Sequence, residues 1–343
     1  MTILHHQRLP YPGQISIERL FTEIRGKMPV ECRVMERTCP YPSKGFIPRL
    51  KNVLHARQQR SDVHHIVGDS HYLAFGLPSE RTVLTIHDCA AMNRLTGWKQ
   101  ELLRYFWFTG PMRRAAWVTT ISETTKEELR QWAGALADKI QVVPNCVGSE
   151  FRADPKPWPV SGPICLQVGT GWNKNVERVV KALIGTGCRL EVVGELDGPQ
   201  RTSLTNSGVE FQELGRISDE ELVQAYHRCD FVVFASIYEG FGLPILEAQA
   251  VGRPVITSNR SSMPEVAGDG ALFVDPESVD SIHTAVITLL ADEELRYSLI
   301  QKGLRNVAKY QPSAIAAQYS EIYHKIFESL KIGGSRPDFS VGR

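Results

Sequence analysis

The sequence predicts an α/β protein of two domains, each a parallel β-sheet covered on both faces by helices. Three observations carry this. The chain of 343 residues is long enough for about two domains of ~150 residues each. Its second half alternates short apolar strands with helical stretches, the pattern of a parallel sheet with helical crossovers. Between the halves, at residues 151–162, runs FRADPKPWPVSG, whose prolines forbid regular structure and stiffen a connector.

In the second half the expected strands are Ile164–Val168, Arg189–Val193, Val209–Gln212, Phe231–Phe234, Pro254–Thr257 and Ala271–Val274. Helical patterns lie between them at Val176–Ile184, Asp219–His227, Pro244–Ala250 and Val279–Leu290. The first half reads similarly with longer loops. Its strands fall at Ile3–His6, Val30–Met35, Val63–Val67, Val83–His87, Val118–Ile121 and Ile140–Val143. Ser16 is placed to cap a helix carrying Ile17, Leu20, Phe21 and Ile24 on one face. Thr125 followed by Glu128 reads as a capping box opening another helix. The expected domains are therefore 1–155 and 156–312. A final helix at 313–331 would pack back on the first domain, and a disordered tail would occupy 332–343.

Composition excludes several classes. Hydrophobic residues make up 42% and charged residues 22%, so a large core is affordable. No run of ~18 apolar residues predicts a transmembrane helix, and MTILHHQRLPYPG has no basic n-region followed by a long apolar h-region, so no signal peptide is expected. The seven cysteines are scattered and never form C-x-x-C. That argues against a disulfide framework or a cysteine metal site, and for a reducing cytoplasmic setting. The net charge of +1 hides an asymmetry. Residues 1–150 hold 20 Lys and Arg against 14 Asp and Glu, so the first half could face an anionic partner.

The most informative segment is FVVFASIYEGFGLPILEAQAVGRP, from Phe231 to Pro254. A buried strand runs into a turn with Gly240 and Gly242, and a helix starts near Leu243-Pro244. Proline suits the first helical turn, where its missing N–H would be unpaired anyway. Glycine lets backbone N–H groups approach a ligand closely, and the helix N-terminus favours anions. Glu239 stands in the turn and Glu247 on the helix behind it, at E-x7-E spacing. A carboxylate accepts hydrogen bonds in pairs, as adjacent sugar hydroxyls require.

This segment resembles the E-x7-E motif of retaining glycosyltransferases of the GT-B fold, specifically the nucleotide-sugar family 4. The resemblance continues in MPEVAGDGALFVDP downstream, and upstream in VGTGWNKNVERVV, ELGRISDEEL, LTIHDC, TTISETTKEEL and VVPNCV. It covers nearly all of residues 80–290. It implies two Rossmann-like domains whose sheets face a central cleft. The donor would be a nucleotide diphosphate sugar giving up a hexose, the acceptor a saccharide or lipid-linked acceptor in surface polysaccharide or glycan assembly, and no metal or other cofactor would be required. By the same resemblance Glu239 contacts the donor sugar, with the backbone of Gly240, Phe241 and Gly242 around the sugar and phosphates. Glu247 holds the ribose, Lys174 neutralises the diphosphate, and Arg216 and Ile217 lie by the nucleobase. His87 would reach toward the sugar from the first domain, and Gly13 would be a close-approach loop. One departure matters. Many family members carry Arg directly after the VG that ends the first strand of the second domain, or just before the Lys. Here those positions hold Thr170 and Asn173.

Other readings stay open. Glu195 and Asp197 follow a strand and could hold Mg²⁺ through nucleotide phosphates. Seven of the ten histidines fall in residues 1–150, but adjacent histidines on a strand point to opposite faces, so packing accounts for them better than metal ligation. The segment Arg104–Trp117, RYFWFTGPMRRAAW, is either a helix packed on the first sheet or a contact with the inner face of a membrane or a lipid acceptor. No basic domain or recognised module points to nucleic acid. A nucleotide-sugar epimerase, or a non-catalytic sugar-nucleotide binder, would use the same fold.

Overall fold

A computed structural model describes residues 1–10, 16–90, 92 and 96–332. Contacts divide the chain into two compact units: residues 1–146 together with those from 312 on, and residues 147–311. The first unit's strands are β1 (Thr2–Gln7), β2 (Arg33–Thr38), β3 (Val63–Ile66), β4 (Thr82–Ile86), β5 (Trp117–Thr120) and β6 (Gln141–Val142). Its helices are α1 (Ser16–Gly26), α2 (Phe46–Arg57), α3 (Gly97–Leu103), α4 (Gly110–Arg114) and α5 (Glu123–Ala133). The second unit contains β7 (Ile164–Val168), α6 (Val176–Leu183), β8 (Arg189–Val193), α7 (Gly198–Ser207), β9 (Phe211–Gly215) and α8 (Asp219–Arg228). It continues with β10 (Phe231–Phe234), α9 (Leu243–Val251), β11 (Val255–Ser258), α10 (Met263–Ala267), β12 (Leu272–Val274), α11 (Val279–Ala291) and α12 (Glu293–Val307). The last helix, α13 (Pro312–Lys331), belongs to the first unit.

Each unit is an α/β layer structure on a six-stranded parallel sheet. The first sheet runs β2-β1-β3-β4-β5-β6 and the second β12-β11-β10-β7-β8-β9. Read from β9, the second order is 3-2-1-4-5-6 within its unit, the doubly wound arrangement whose strand order reverses between its first and fourth strands. Those strands are β7 and β10, paired through Phe231–Cys165 and Val232–Leu166. The central strands are buried on both faces, which explains why they read as continuous apolar runs. The proline-rich segment packs on the second unit: the Asp154 amide donates to the Val251 carbonyl at 3.2 Å, and Lys156 pairs with Asp230 at 2.7 Å.

The structure shifts some expected elements. The strand expected at 30–35 lies at 33–38, and the one expected at 209–212 lies at 211–215. The former is a sheet edge with mostly exposed side chains, so no apolar run marks it. The helix expected to be capped by Thr125 is capped three residues earlier. Ser122 is its N-cap, accepting from the Thr125 amide at 3.0 Å. Segment 104–117 is divided. Residues 104–109 form a π-helical turn, α4 follows, and Trp117 opens β5. Phe108, Met112 and Ala115 join the core while Tyr105 and Phe106 face solvent. Ser16's side chain, Gly13 and the tail from 333 lie outside the described residues.

Six histidines of the first unit, His5, His6, His64, His65, His71 and His87, are buried, whereas His55 is exposed. His5 and His6 alternate across the sheet, as do His64 and His65, so two separate pairs form. His6 Nε2 meets His64 Nδ1 at 3.0 Å. On the other face the Tyr323 hydroxyl of α13 bridges His5 Nε2 at 2.9 Å and His65 Nδ1 at 2.6 Å. The chain continues from His65 Nε2 to Thr85 Oγ1 and on to Thr119 Oγ1, each step 2.7 Å. It links four neighbouring strands to α13, beside Phe21 and Tyr319. Burial disfavours the imidazolium at His5, His6, His64 and His65. It lowers His6 to about 3 and His64 to about 4, and holds His5 and His65 well below 6.5. The sign follows directly: the folded state keeps these rings neutral, whereas the unfolded chain protonates them near pH 6.5. Their contribution to stability is complete above that pH and is lost progressively as pH falls toward 4. Each costs up to ~1.4 kcal/mol per pH unit below 6.5. Thermal unfolding should therefore show a steep loss of midpoint between pH 6.5 and 5, above the carboxylate range. A midpoint that stays flat across that window would contradict the neutral core.

Candidate active site at the carboxyl edge of the second sheet

Ligands of doubly wound sheets bind beyond the carboxyl ends of the strands, where the strand order reverses. In the second unit that place lies above β7 and β10. Two loops meet there, 169–175 after β7 and 235–242 after β10. Asn175 joins them. It sits in the left-handed region at φ 59° and donates its amide to the Ala235 carbonyl at 2.9 Å and the Pro276 carbonyl at 2.6 Å. The Ile237 amide donates to the Asn173 carbonyl at 2.8 Å, closing the second tie between the loops.

These ties bring Lys174 and Glu239 together. Lys174 Nζ donates to Glu239 Oε1 at 2.7 Å, and Asn173 Nδ2 donates to the same oxygen at 3.0 Å. Both side chains of the ion pair are mostly buried. The ammonium also lies 4.5 Å from the centre of the Phe234 ring, a favourable cation–π distance. The backbone around Glu239 is clamped from the next loop. Ser261 Oγ donates to the Glu239 carbonyl at 2.6 Å, and Ser262 Oγ shares its one proton between the Phe241 carbonyl at 2.7 Å and the Glu239 carbonyl at 3.0 Å. Gly242, at φ 110°, turns the chain into α9, with Pro244 in the first turn.

Glu247 sits one turn into α9. That helix is buried nearly all round from Ile245 to Val251, and Glu247 itself is 8% exposed. The Tyr226 hydroxyl of α8 donates to Glu247 Oε2 at 2.7 Å. A phenol only 21 residues earlier thus fixes one edge of the carboxylate. Arg216 follows β9 and donates to Glu195 Oε2 at 3.1 Å on an exposed surface, with Ile217 half-buried beside it. Glu195 and Asp197 have structural work: Asp197 caps α7 in a capping box with Gln200. Among the described residues no cluster of three or more His, Cys, Asp or Glu side chains has metal-holding geometry.

His87 belongs to the first unit, just past β4. It is buried, and its Nε2 meets the Val67 carbonyl at 2.8 Å. A carbonyl only accepts, so Nε2 is the donor in this contact. Gly13 lies outside the described residues. The structure thus brings Lys174 and Glu239 into contact on one sheet edge, with Gly240, Phe241 and Gly242 between Glu239 and the start of α9. Glu247 lies within α9, and Arg216 and Ile217 follow the more distant β9. Four contributors escaped sequence reasoning in these roles: Asn173, Tyr226, Ser261 and Ser262. The two serines do lie just before the MPEVAGDG segment, but nothing in Tyr226's surroundings marks it.

Two family profiles match the chain, "Glycosyltransferase Family 4" over residues 18–151 and "Glycosyl transferases group 1" over residues 150–305. Together they span residues 18–305. The chain belongs to the family 4 glycosyltransferases. Among curated relatives, O-antigen chain mannosyltransferase B of Escherichia coli is 42% identical over 97 residues, which are 28% of this chain and 26% of that one. The MMP alpha-(1->4)-mannosyltransferase of Mycolicibacterium hassiacum is 27% identical over 335 residues, covering 89% of this chain and 80% of that one. Among solved structures, sucrose-phosphate synthase from Thermosynechococcus elongatus aligns with a TM-score of 0.76 at 19% identity, over 96% of this chain and 99% of that one. Anabaena Alr3699/HepE in complex with UDP and glucose aligns at 0.76 and 17%, over 94% and 99%. At these identities the structural likeness establishes the GT-B fold of this glycosyltransferase.

Gly169 makes room for the ion pair. It has φ +89°, and a Cβ there would lie 2.9 Å from Lys174 Cε. Gly169→Ala should therefore strain the backbone and push the lysine off Glu239, costing roughly 1–3 kcal/mol. Gly198→Ala, where nothing lies within 4 Å, should cost well under that. Urea unfolding of both variants checks this, and equal midpoints would refute the packing argument.

Proposed function

We propose that this glycosyltransferase moves a hexose, with mannose the leading candidate, from a nucleotide diphosphate sugar to a saccharide or lipid-linked acceptor in surface polysaccharide assembly. Anomeric configuration is retained and no metal takes part. The observation that carries the proposal is the convergence of Lys174, Asn173 and Glu239 at the strand-order reversal of a doubly wound sheet. The mannose reading draws on relatives named for mannosyl transfer.

The chemistry follows from the residues. A departing nucleotide diphosphate gains negative charge as the glycosidic bond breaks, and fixed donors aimed at that charge lower the barrier. Lys174 and the N-terminal turn of α9 supply such donors. With Thr170 and Asn173 where many relatives carry arginine, Lys174 holds a larger share of the diphosphate charge. Glu239 is then released from the ammonium to accept hydrogen bonds from the donor sugar's hydroxyls. Glu247, oriented by Tyr226, accepts from the ribose. Lys174 is a catalytic residue in this reading; Asn173 and Tyr226 are positioning residues.

The experiment is transfer from GDP-, UDP- and ADP-sugars to a panel of saccharide and lipid-linked acceptors, with NMR of the product's anomeric linkage. We expect transfer that persists in excess EDTA and retains configuration. Activity abolished by EDTA and restored by Mg²⁺ would overturn the metal-independent reading and return attention to Glu195. Interconversion of the donor without acceptor would instead make the protein an epimerase.

A further inference from the structure

Two helical segments of the first unit turn apolar side chains toward solvent rather than toward the core. On α2 the exposed apolar residues are Phe46, Ile47, Leu50 and Leu54, with Phe46 80% and Ile47 65% exposed. At 3.6 residues per turn these four fall within an arc of roughly 100°. The opposite side of α2, carrying Asn52 and Ala56, is buried. In α3 and the π-helical turn after it, Trp98, Leu102, Tyr105 and Phe106 are exposed, Trp98 by 69%. Their i, i+4, i+7, i+8 spacing again marks one helical face. A soluble core does not require two such stripes, and exposed apolar stripes of this kind mark interaction sites.

The stripes lie on neighbouring elements. Both segments pack around the short helical turn His71–Phe75. Arg49 of α2 lies 5.0 Å over the Trp107 ring and 5.9 Å over that of Tyr72, and Phe75 contacts Phe106 with ring centres 6.1 Å apart. Charge then identifies the partner. Residues 39–61 contain Lys44, Arg49, Lys51, Arg57 and Arg60 and no acidic residue. Residues 96–115 add Lys99, Arg104, Arg113 and Arg114 against Glu101 alone. Lys44, Lys51, Arg57, Arg60 and Lys99 are exposed.

Apolar side chains bordered by exposed cations fit a bilayer interface rich in anionic lipid. The rings and aliphatic chains enter the acyl boundary, and the ammonium and guanidinium groups meet phosphates. A second copy of this chain fits poorly, because a two-fold contact would set these cations against themselves. We infer that α2 and the 97–106 segment form one docking surface for an anionic membrane, which holds the first unit at the lipid face. The inference goes beyond the transferase reading and does not depend on it.

The test is co-sedimentation of the full chain with phosphatidylcholine vesicles, with and without phosphatidylglycerol. The protein should pellet with the anionic vesicles, less so at high salt. The substitutions F46S/I47S and, separately, K51E/R57E should each lower the partition coefficient by about tenfold or more. All four positions are exposed, so thermal unfolding and nucleotide binding should stay unchanged in both variants. Those unchanged readouts separate a failed membrane surface from a failed transferase assignment. Equal pelleting with both vesicle types, or wild-type partitioning by both variants, would overturn the inference. So would a dimer in sedimentation velocity that F46S/I47S dissolves, since the stripe would then be a protein interface.

Discussion

The ion pair between Lys174 and Glu239 is the interaction around which the second unit's site is organised. At 2.7 Å and largely out of water, it is worth more than an exposed pair. Its geometry depends on supports on both sides. Asn173 donates to the same carboxylate oxygen, and the two serines hold the backbone carbonyl of Glu239. On the lysine's side, the absence of a side chain at Gly169 leaves space for its methylene groups. An unliganded site that carried the lysine alone would leave a largely buried cation uncompensated. The carboxylate solves that problem, and a diphosphate could take over the same role when it binds.

The topology explains why these residues meet. Lys174 and Glu239 are 65 positions apart, but the chain leaves β7 toward one edge of the sheet and β10 toward the other. Their following loops therefore open a crevice between diverging helices, where backbone donors and side chains converge. Asn175, held in a left-handed conformation and bonded to carbonyls after β10 and β12, fixes the spacing of the loops. In the first unit the corresponding economy is different. There a buried chain of imidazoles and hydroxyls ties the sheet to α13, so the last helix is attached through polar groups that must stay neutral and mutually bonded.

How much of this was legible in the sequence depends on burial. Central strands such as Phe231–Phe234 are apolar on both faces and are read directly from composition. The edge strand β2 lacks that signature, and its expected position is three residues early at each end. Helix α2 was not anticipated at all, because its apolar residues point outward and its buried side carries Asn52. Glu239 and Glu247 stand out through their spacing behind a strand and glycines. Tyr226 does not, since a tyrosine on an amphipathic helix is ordinary until the fold sets it against a carboxylate. Asn173 read as a missing cation, whereas the structure gives it a different task, that of orienting Glu239. The pairing of His5 with His65 through Tyr323 spans 318 residues of sequence and has no local signal.

The proposed assignment sets Lys174 against a diphosphate and Glu247 against a ribose. Calorimetric binding of a nucleoside and of its matching diphosphate to the wild type, Lys174→Ala and Glu247→Ala tests it most directly. Lys174→Ala should leave nucleoside affinity unchanged and weaken the diphosphate by about 30-fold or more, since removing one member of such a charge pair costs roughly 2–5 kcal/mol. Glu247→Ala should weaken both ligands by similar factors. If Lys174→Ala weakens nucleoside and diphosphate equally, or neither, the lysine does not face the phosphates and the assignment of this edge fails.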